Sequence, residues 1–313
     1  MLLSSMNQSL PVVYAPLQKN WRPGKASISG TVLPGRDVAS IHANHTSHIL
    51  EMRDGMYPFI HIGHYEIGTF GILLWLAAVS ACWVLHKNFE RNGVAADAIN
   101  VAAMVTVAGV VGAKLWHVLE APRELMAQPA HMLLDRAGFA WFGGLVLGVL
   151  VLLWQGRVAK VGGLGMLDLA APATAVGYGV GRIGCLISGD GDYGIPTSMP
   201  WGMSFPHGLV PTVVPVHPTP IYEFIFSIVL AAYLWQRGKT SKPLGWLTGE
   251  YLLWSGLGRF LVEFIRINPK IYMGMSNAQI ASIGSMIAGL LLMFWSRRRT
   301  QARVATVTAV AHS

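Results

Sequence analysis

Charge is what this chain has little of. Of 313 residues, 12% are Asp, Glu, Lys or Arg, about half the ~25% of a soluble domain. With a mean hydropathy of +0.46, that scarcity excludes an ordinary soluble globule and points to an all-α integral membrane protein. Cysteine is nearly absent too. Only Cys82 and Cys185 occur, which excludes a disulfide framework and a cysteine-built metal site. The net charge of +8 comes without any nucleic-acid motif, and the basic residues sit in short clusters between apolar runs, the pattern of membrane topology. Residues 1–56 hold no apolar core of a signal peptide and no periodicity, so a polar, disordered tail is expected there. The string Val79-Ser80-Ala81-Cys82 has the form of a lipobox, but a signal peptide is short and N-terminal, whereas six more apolar segments follow this one. No internal repeat of the kind that transporters carry is evident.

What is present is a series of seven apolar segments. They are Tyr65–Leu85, Ala96–His117, Gly138–Trp154, Leu164–Ile187, His217–Trp235, Leu244–Ile265 and Ala278–Trp295. Each approaches the ~20 residues that a span needs. The sequence therefore predicts a seven-span domain over 57–300 and a short cytoplasmic tail over 301–313. Placing the N-terminus outside puts eleven Lys and Arg in the inner loops and tail and four in the outer loops, the N-terminal tail apart. Arginine and lysine favour the cytoplasmic side, so N-out, C-in is expected. Gly144 and Gly148, Gly177 and Gly181, and Gly245 and Gly249 are each four apart. At that spacing small residues let helices approach closely.

The few charges that remain inside the apolar segments converge. An ionisable group at membrane depth costs roughly 2.5–3.5 kcal/mol on insertion scales, so it is used or paired. Arg182 lies in the outer half of the fourth segment, with Asp190 and Asp192 just beyond. His217 opens the fifth, with Tyr222 and Glu223 one to two turns deeper. Arg259, Glu263 and Arg266 lie toward the outer end of the sixth. Arginines at headgroup depth suit a phosphate, because the guanidinium fork matches it bidentately and stays charged when partly buried. The carboxylates would either pair those arginines or act as a general base. Asp190-Gly-Asp192 lacks the further oxygen ligands of a calcium loop and reads as a tight turn.

These stretches resemble a known family. GRIGCLISGDGDYG, from Gly181 to Gly194, is similar to the GRIGNFxNxExxG signature of the bacterial prolipoprotein diacylglyceryl transferases. HPTPIYE (His217–Glu223) resembles their HPSQLYE, and GRFLVEFIR (Gly258–Arg266) their RFxxEFxR. DLAAP (Asp168–Pro172) resembles their DxxAP, and GMSNAQIASI (Gly274–Ile283) their GQxLS segment. Together they cover about residues 60–300. The resemblance implies a cofactor-free, metal-free enzyme of the bacterial inner membrane. Such an enzyme moves the diacylglyceryl group of phosphatidylglycerol to the cysteine thiol of a prolipoprotein lipobox peptide, at the outer face. It implies that Arg182 and Arg259 hold the phosphate, with Arg266, His217, Tyr222 and Glu223 around the headgroup. It also implies that Asp190 or Asp192 stands for the signature glutamate, and that Glu263 orients Arg259. Three departures stand out. Phe142 occupies the place of the histidine in the family's HGG, Cys185 and Ser188 replace its two asparagines, and Phe70-Gly71 replaces a tyrosine-glycine pair. They keep two other readings open: a related transferase with a different acceptor, and a phospholipid-binding protein without turnover.

Overall fold

The computed structural model describes residues 58–62, 64–134, 138–271 and 273–311, with side chains only as far as residue 301. The predicted tail over 1–56 lies outside the described residues. Among these residues are seven helices of 17 residues or more: α1 (Thr69–Asn92), α2 (Ala98–Glu120), α5 (Trp141–Val158), α6 (Gly163–Ser188), α7 (Thr219–Arg237), α8 (Trp246–Val262) and α9 (Asn277–Ala311). Two six-residue helices, α3 (Pro122–Ala127) and α4 (Pro129–Leu134), lie between α2 and α5.

Two hairpins qualify the all-α expectation. Strand β1 (Phe59–Ile62) pairs antiparallel with β2 (Tyr65–Gly68), and β3 (Met203–Phe205) pairs antiparallel with β4 (Thr212–Val216). The first apolar segment therefore does not start as a helix at Tyr65. Residues 65–68 satisfy their backbone in the hairpin, and the helix begins at Thr69, whose hydroxyl donates to the Pro58 carbonyl at 3.1 Å. At the other end α9 continues to Ala311.

Four helices among the described residues are long and apolar enough to cross a membrane: α1, α2, α5 and residues 277–301 of α9. The other three long helices are the ones that carry the internal charges. Charged side chains lower their hydropathy, and several of these pair with one another: Arg182 with Glu223, Arg259 with Glu223, and Arg237 with Glu250.

Helix α6 is the axis of the bundle. Its Gly/Ala-rich surface packs against α1, α5, α7 and α8. On one side Met166, Ala170 and Ala173 meet Leu85, Phe89, Ala98 and Val101. On the other, Ala171 and Ala175 meet Leu230, Ala231 and Leu234. Small residues let the backbones close in, which substitutes in lipid for a hydrophobic drive between helices. The closest approach of α2 to α5 runs through Gly112 and Gly143, where an added Cβ on Gly143 would lie 2.1 Å from the Gly112 carbonyl oxygen. Of the glycines spaced four apart, Gly249 contacts α9 directly, whereas Gly181 faces open space and Gly245 precedes its helix.

Candidate functional site: a buried arginine–carboxylate cluster

The ends of α6, α7 and α8 that lie opposite the short loop 159–162 converge on one cluster. Helix α6 stops at Ser188 because Gly189 takes the left-handed conformation (φ +57°) and its N–H returns to the Cys185 carbonyl. Only glycine adopts that conformation without penalty. The chain then turns through Asp190, whose Oδ1 accepts from the Asp192 N–H at 3.1 Å. Backbone bonds fix the next residues. Gly194 N–H donates to the His217 carbonyl at 2.8 Å, Ile195 N–H to the Ile265 carbonyl at 2.8 Å, and His217 N–H to the Ile195 carbonyl at 3.1 Å. A Cβ at Gly194 would lie 2.5 Å from the Ile265 oxygen, so this crossing admits glycine alone. The β3–β4 hairpin braces the arrangement by stacking Phe205 on Tyr193, 5.1 Å between ring centres. Three distant stretches, around 192, 217 and 266, are thereby stitched together by main-chain bonds.

Their side chains form a network of three guanidinium groups and three carboxylates. Arg182 Nη1 donates to Asp192 Oδ2 at 2.5 Å, and its Nη2 donates to Glu223 Oε2. Arg266 Nη2 donates to Asp192 Oδ1, and its Nη1 lies 3.5 Å from Glu223 Oε2. Arg259 Nη1 lies 2.8 Å from Glu263 Oε2 and 3.6 Å from Glu223 Oε1. Glu263 is held from behind, its Oε1 accepting from Asn268 Nδ2 at 2.6 Å and Ser276 Oγ at 2.8 Å. Tyr178 donates its hydroxyl to Glu223 Oε1 at 2.7 Å. Glu263 and Glu223 are buried, at 1% and 4% exposure. Of the arginine side chains, Arg266 is 5%, Arg182 13% and Arg259 26% exposed, so Arg259 is the most open of the three.

The predicted site residues thus come together, with adjustments. Asp192, not Asp190, lies against the arginines. Burial works against ionisation of Asp192, but Arg182 and Arg266 outweigh it and hold its carboxyl at about 2. Asp190 stands apart; burial and then the Asp192 charge push its carboxyl up. Arg182 pairs with Asp192 and Glu223, and Asp190 takes no part in its ion pairs. His217 does not open α7. It precedes the helix, which starts at Thr219 after Pro218, because proline fixes the first turn. Its Nδ1 lies 3.1 Å from the Tyr222 hydroxyl, which also accepts from Trp201 Nε1 at 2.7 Å. His217, Tyr222 and Trp201 make a rim beside the cluster. Helix α8 ends at Val262, so Glu263 is its C-cap and Arg266 lies past it. Phe142, in the place of the family histidine, is exposed and meets Trp141 edge-on.

Sequence reading did not single out Tyr178, Trp201, Thr219, Asn268 or Ser276. Tyr178 carried a signal, since it lies four residues before Arg182 and so shares its helix face. Thr219, the first residue of α7, which donates to the Asp192 carbonyl at 2.5 Å, and Ser276 lie inside the HPTPIYE and GMSNAQIASI stretches without standing out in them, and Asn268 comes from a loop with no signal of its own. Ligand atoms of Cys185, Asp190 and Asp192 lie within 4.8 Å of one another. Both oxygens of Asp192 are already engaged by arginines, so this group is poorly set for a cation.

A bundle whose interior carries paired arginines and carboxylates at one end, where helices meet loops, defines a membrane protein with a buried polar cluster. Residues 58–295 match the family model described as prolipoprotein diacylglyceryl transferase. The chain belongs to this family. Among its relatives is phosphatidylglycerol–prolipoprotein diacylglyceryl transferase 2 of Clostridium perfringens, 31% identical over 231 residues, covering 72% of this chain and 90% of the relative. The enzyme of the same name without the numeral from Clostridium tetani is 30% identical over 239 residues (75% and 96%). That of Geobacter sulfurreducens is 30% identical over 258 residues (77% and 95%).

Proposed function

We propose that this chain transfers the diacylglyceryl group of phosphatidylglycerol to the cysteine thiol of a prolipoprotein lipobox. The relatives' names support the reaction, and the cluster supplies the chemistry. The observation that carries this reading is the convergence of three guanidinium groups, those of Arg182, Arg259 and Arg266, in which Arg182 Nε is buried without an acceptor and Arg266 Nε has only Glu263 Oε2, at 3.6 Å. An unsatisfied buried donor is costly. A phosphate set among these guanidinium groups would satisfy such donors. In the reaction the thiolate sulfur attacks the diacylglycerol carbon that bears the phosphate. A C–S bond forms, the C–O bond breaks, and glycerol phosphate leaves with the electron pair. Charge builds on the phosphate oxygen as the bond breaks, and guanidinium donors already in place stabilise it without reorganisation. Arg259, the most open, would meet the phosphate first. Glu263, Glu223 and Asp192 hold the three forks in position, and the rim of His217 and Tyr222 would face the headgroup glycerol.

The seven long helices are proposed to span the bacterial inner membrane, N-terminus outside, with the cluster toward the outer face, as the Lys/Arg bias favours. A second reading, transfer to a different acceptor, rests on the local departures: Cys185, in place of an asparagine, puts its Sγ 3.5 Å from Arg182 Nη1. The test is an in-vitro transfer with purified protein, phosphatidylglycerol and a lipobox peptide, following glycerol phosphate. Release with a cysteine peptide and none with its serine counterpart is expected. No release from a preparation that binds the lipid would overturn the lipoprotein reading.

A further inference from the structure

At the opposite end of α6 lies a second polar site, a cavity of about 390 Å³, within the roughly 300–1,000 Å³ range of small-molecule sites. Gly165 and Asp168 near the start of α6 line it, with the last turn of α1 and the loop between α7 and α8. From Gly165 to Arg182 the helix rises by about 25 Å, so this cavity is distinct from the arginine cluster. Its cations are Arg91, Lys239 and Lys242, and its one carboxylate is Asp168.

The neighbouring acids are all committed elsewhere. Asp168 accepts from Gly245 N–H at 2.6 Å, Thr248 N–H at 2.8 Å and the Thr248 hydroxyl at 2.6 Å, capping α8. Glu90 pairs with Lys87 and His86, Glu250 with Arg237, and Asp97 caps α2 through Ile99 N–H. Arg91 therefore has no carboxylate among the described residues. It is laid against the Trp235 ring, 4.2 Å to the ring centre. Its Nη1 donates to the Trp235 carbonyl and its Nη2 to Asn88 Oδ1, while its Nε is buried with no acceptor. Asn88 is fixed in turn by donating to the Leu169 carbonyl at 2.7 Å. Nor do Lys239 and Lys242 form an ion pair among the described residues. A cavity with three cations, a carboxylate already spent on backbone N–H groups and an orphaned arginine donor favours an anion. Thr240 and Ser241 add hydroxyls, and Leu169, Leu244 and Leu247 supply an apolar wall.

We propose that this cavity binds a phosphate group, as the headgroup of an anionic lipid or as a free phosphate ester, at a site separate from the arginine cluster and independent of the transfer reaction. The test compares full-length wild type with Arg91→Gln/Lys242→Gln. Native mass spectrometry from nanodiscs of mixed phosphatidylglycerol and phosphatidylcholine, and ³¹P titration with inorganic phosphate in detergent, are the two readouts. One fewer retained phosphatidylglycerol in the variant identifies a lipid headgroup. An unchanged lipid count with phosphate affinity at least tenfold weaker identifies a free phosphate. Equal lipid counts and equal phosphate affinity overturn the proposal. Lys239→Gln/Lys242→Gln, which leaves the Arg91 packing intact, carries the same comparison should the first variant not fold, with at least a threefold loss of phosphate affinity or the same missing lipid expected.

Discussion

Three guanidinium groups and three carboxylates leave the cluster close to neutral, so a phosphate is not drawn in by net charge. On the proposed function it is held by donors the carboxylates leave over, and that makes arginine hard to replace. Lysine offers a point charge without the fork. Arg259→Lys, at the most open position, is expected to fold and to release glycerol phosphate about 100-fold more slowly, the scale of losing one oxyanion donor. Arg266→Lys, at a buried position between Asp192 and Glu223, is expected to lose stability as well, because a single ammonium cannot replace the two-sided fork, read as a lower melting temperature in detergent. Asp192 gives a pH signature. Its carboxyl lies at about 2 in the fold against an ordinary 3.8, so its contribution, on the order of 2 kcal/mol, is complete above pH 4 and fades as the pH falls toward 2. Melting between pH 5 and pH 2.5 should show that loss in wild type and far less of it in Asp192→Asn. Should Asp190→Asn behave like Asp192→Asn, the assignment of the ion pair to Asp192 would be wrong.

Elements place these residues. The signature stretch works as a helix with an abrupt stop, and that stop aims Asp192 back at Arg182, ten positions earlier. Gly189→Ala would force a left-handed residue to carry a Cβ, about 1–2 kcal/mol, and put it 2.6 Å from the Gly208 Cα. The expected outcome is weakened phosphatidylglycerol binding with helix content unchanged in circular dichroism. Helix α8 depends on a distant partner, because its first N–H groups are capped from α6 by Asp168. Asp168→Ala is expected to lower stability by about 1–2 kcal/mol, and a melting curve in detergent tests it.

Across the whole molecule, two polar ends are separated by the length of α6, one neutralised internally and one left cationic. The proposed orientation predicts that a cysteine at Ser198, introduced into a Cys82→Ala/Cys185→Ala background, labels with a membrane-impermeant reagent from the periplasmic side. One at Thr240 labels only after permeabilisation, and the reverse pattern would invert the proposed topology.

Much of this was legible in the chain. Composition sets a membrane protein, because so few charges cannot clothe a soluble surface. Each of the seven apolar segments overlaps a long helix, and four of these helices are long and apolar enough to cross a membrane. Arg182, Glu223, Arg259, Glu263 and Arg266 were identifiable because a charge inside an apolar run needs a reason. Tertiary structure alone decided which acid meets which arginine. Asp190 and Asp192 are two residues apart, and only the turn at Gly189 and the backbone bonds to 217 and 265 choose between them. The helix starts at 69 and 219 were set by hairpin pairing and by proline, which hydropathy does not register. The cationic cavity was also invisible in sequence, because Arg91, Asp168 and Lys242 sit on three separate stretches. What makes them a site is that every nearby carboxylate is spent elsewhere in the fold.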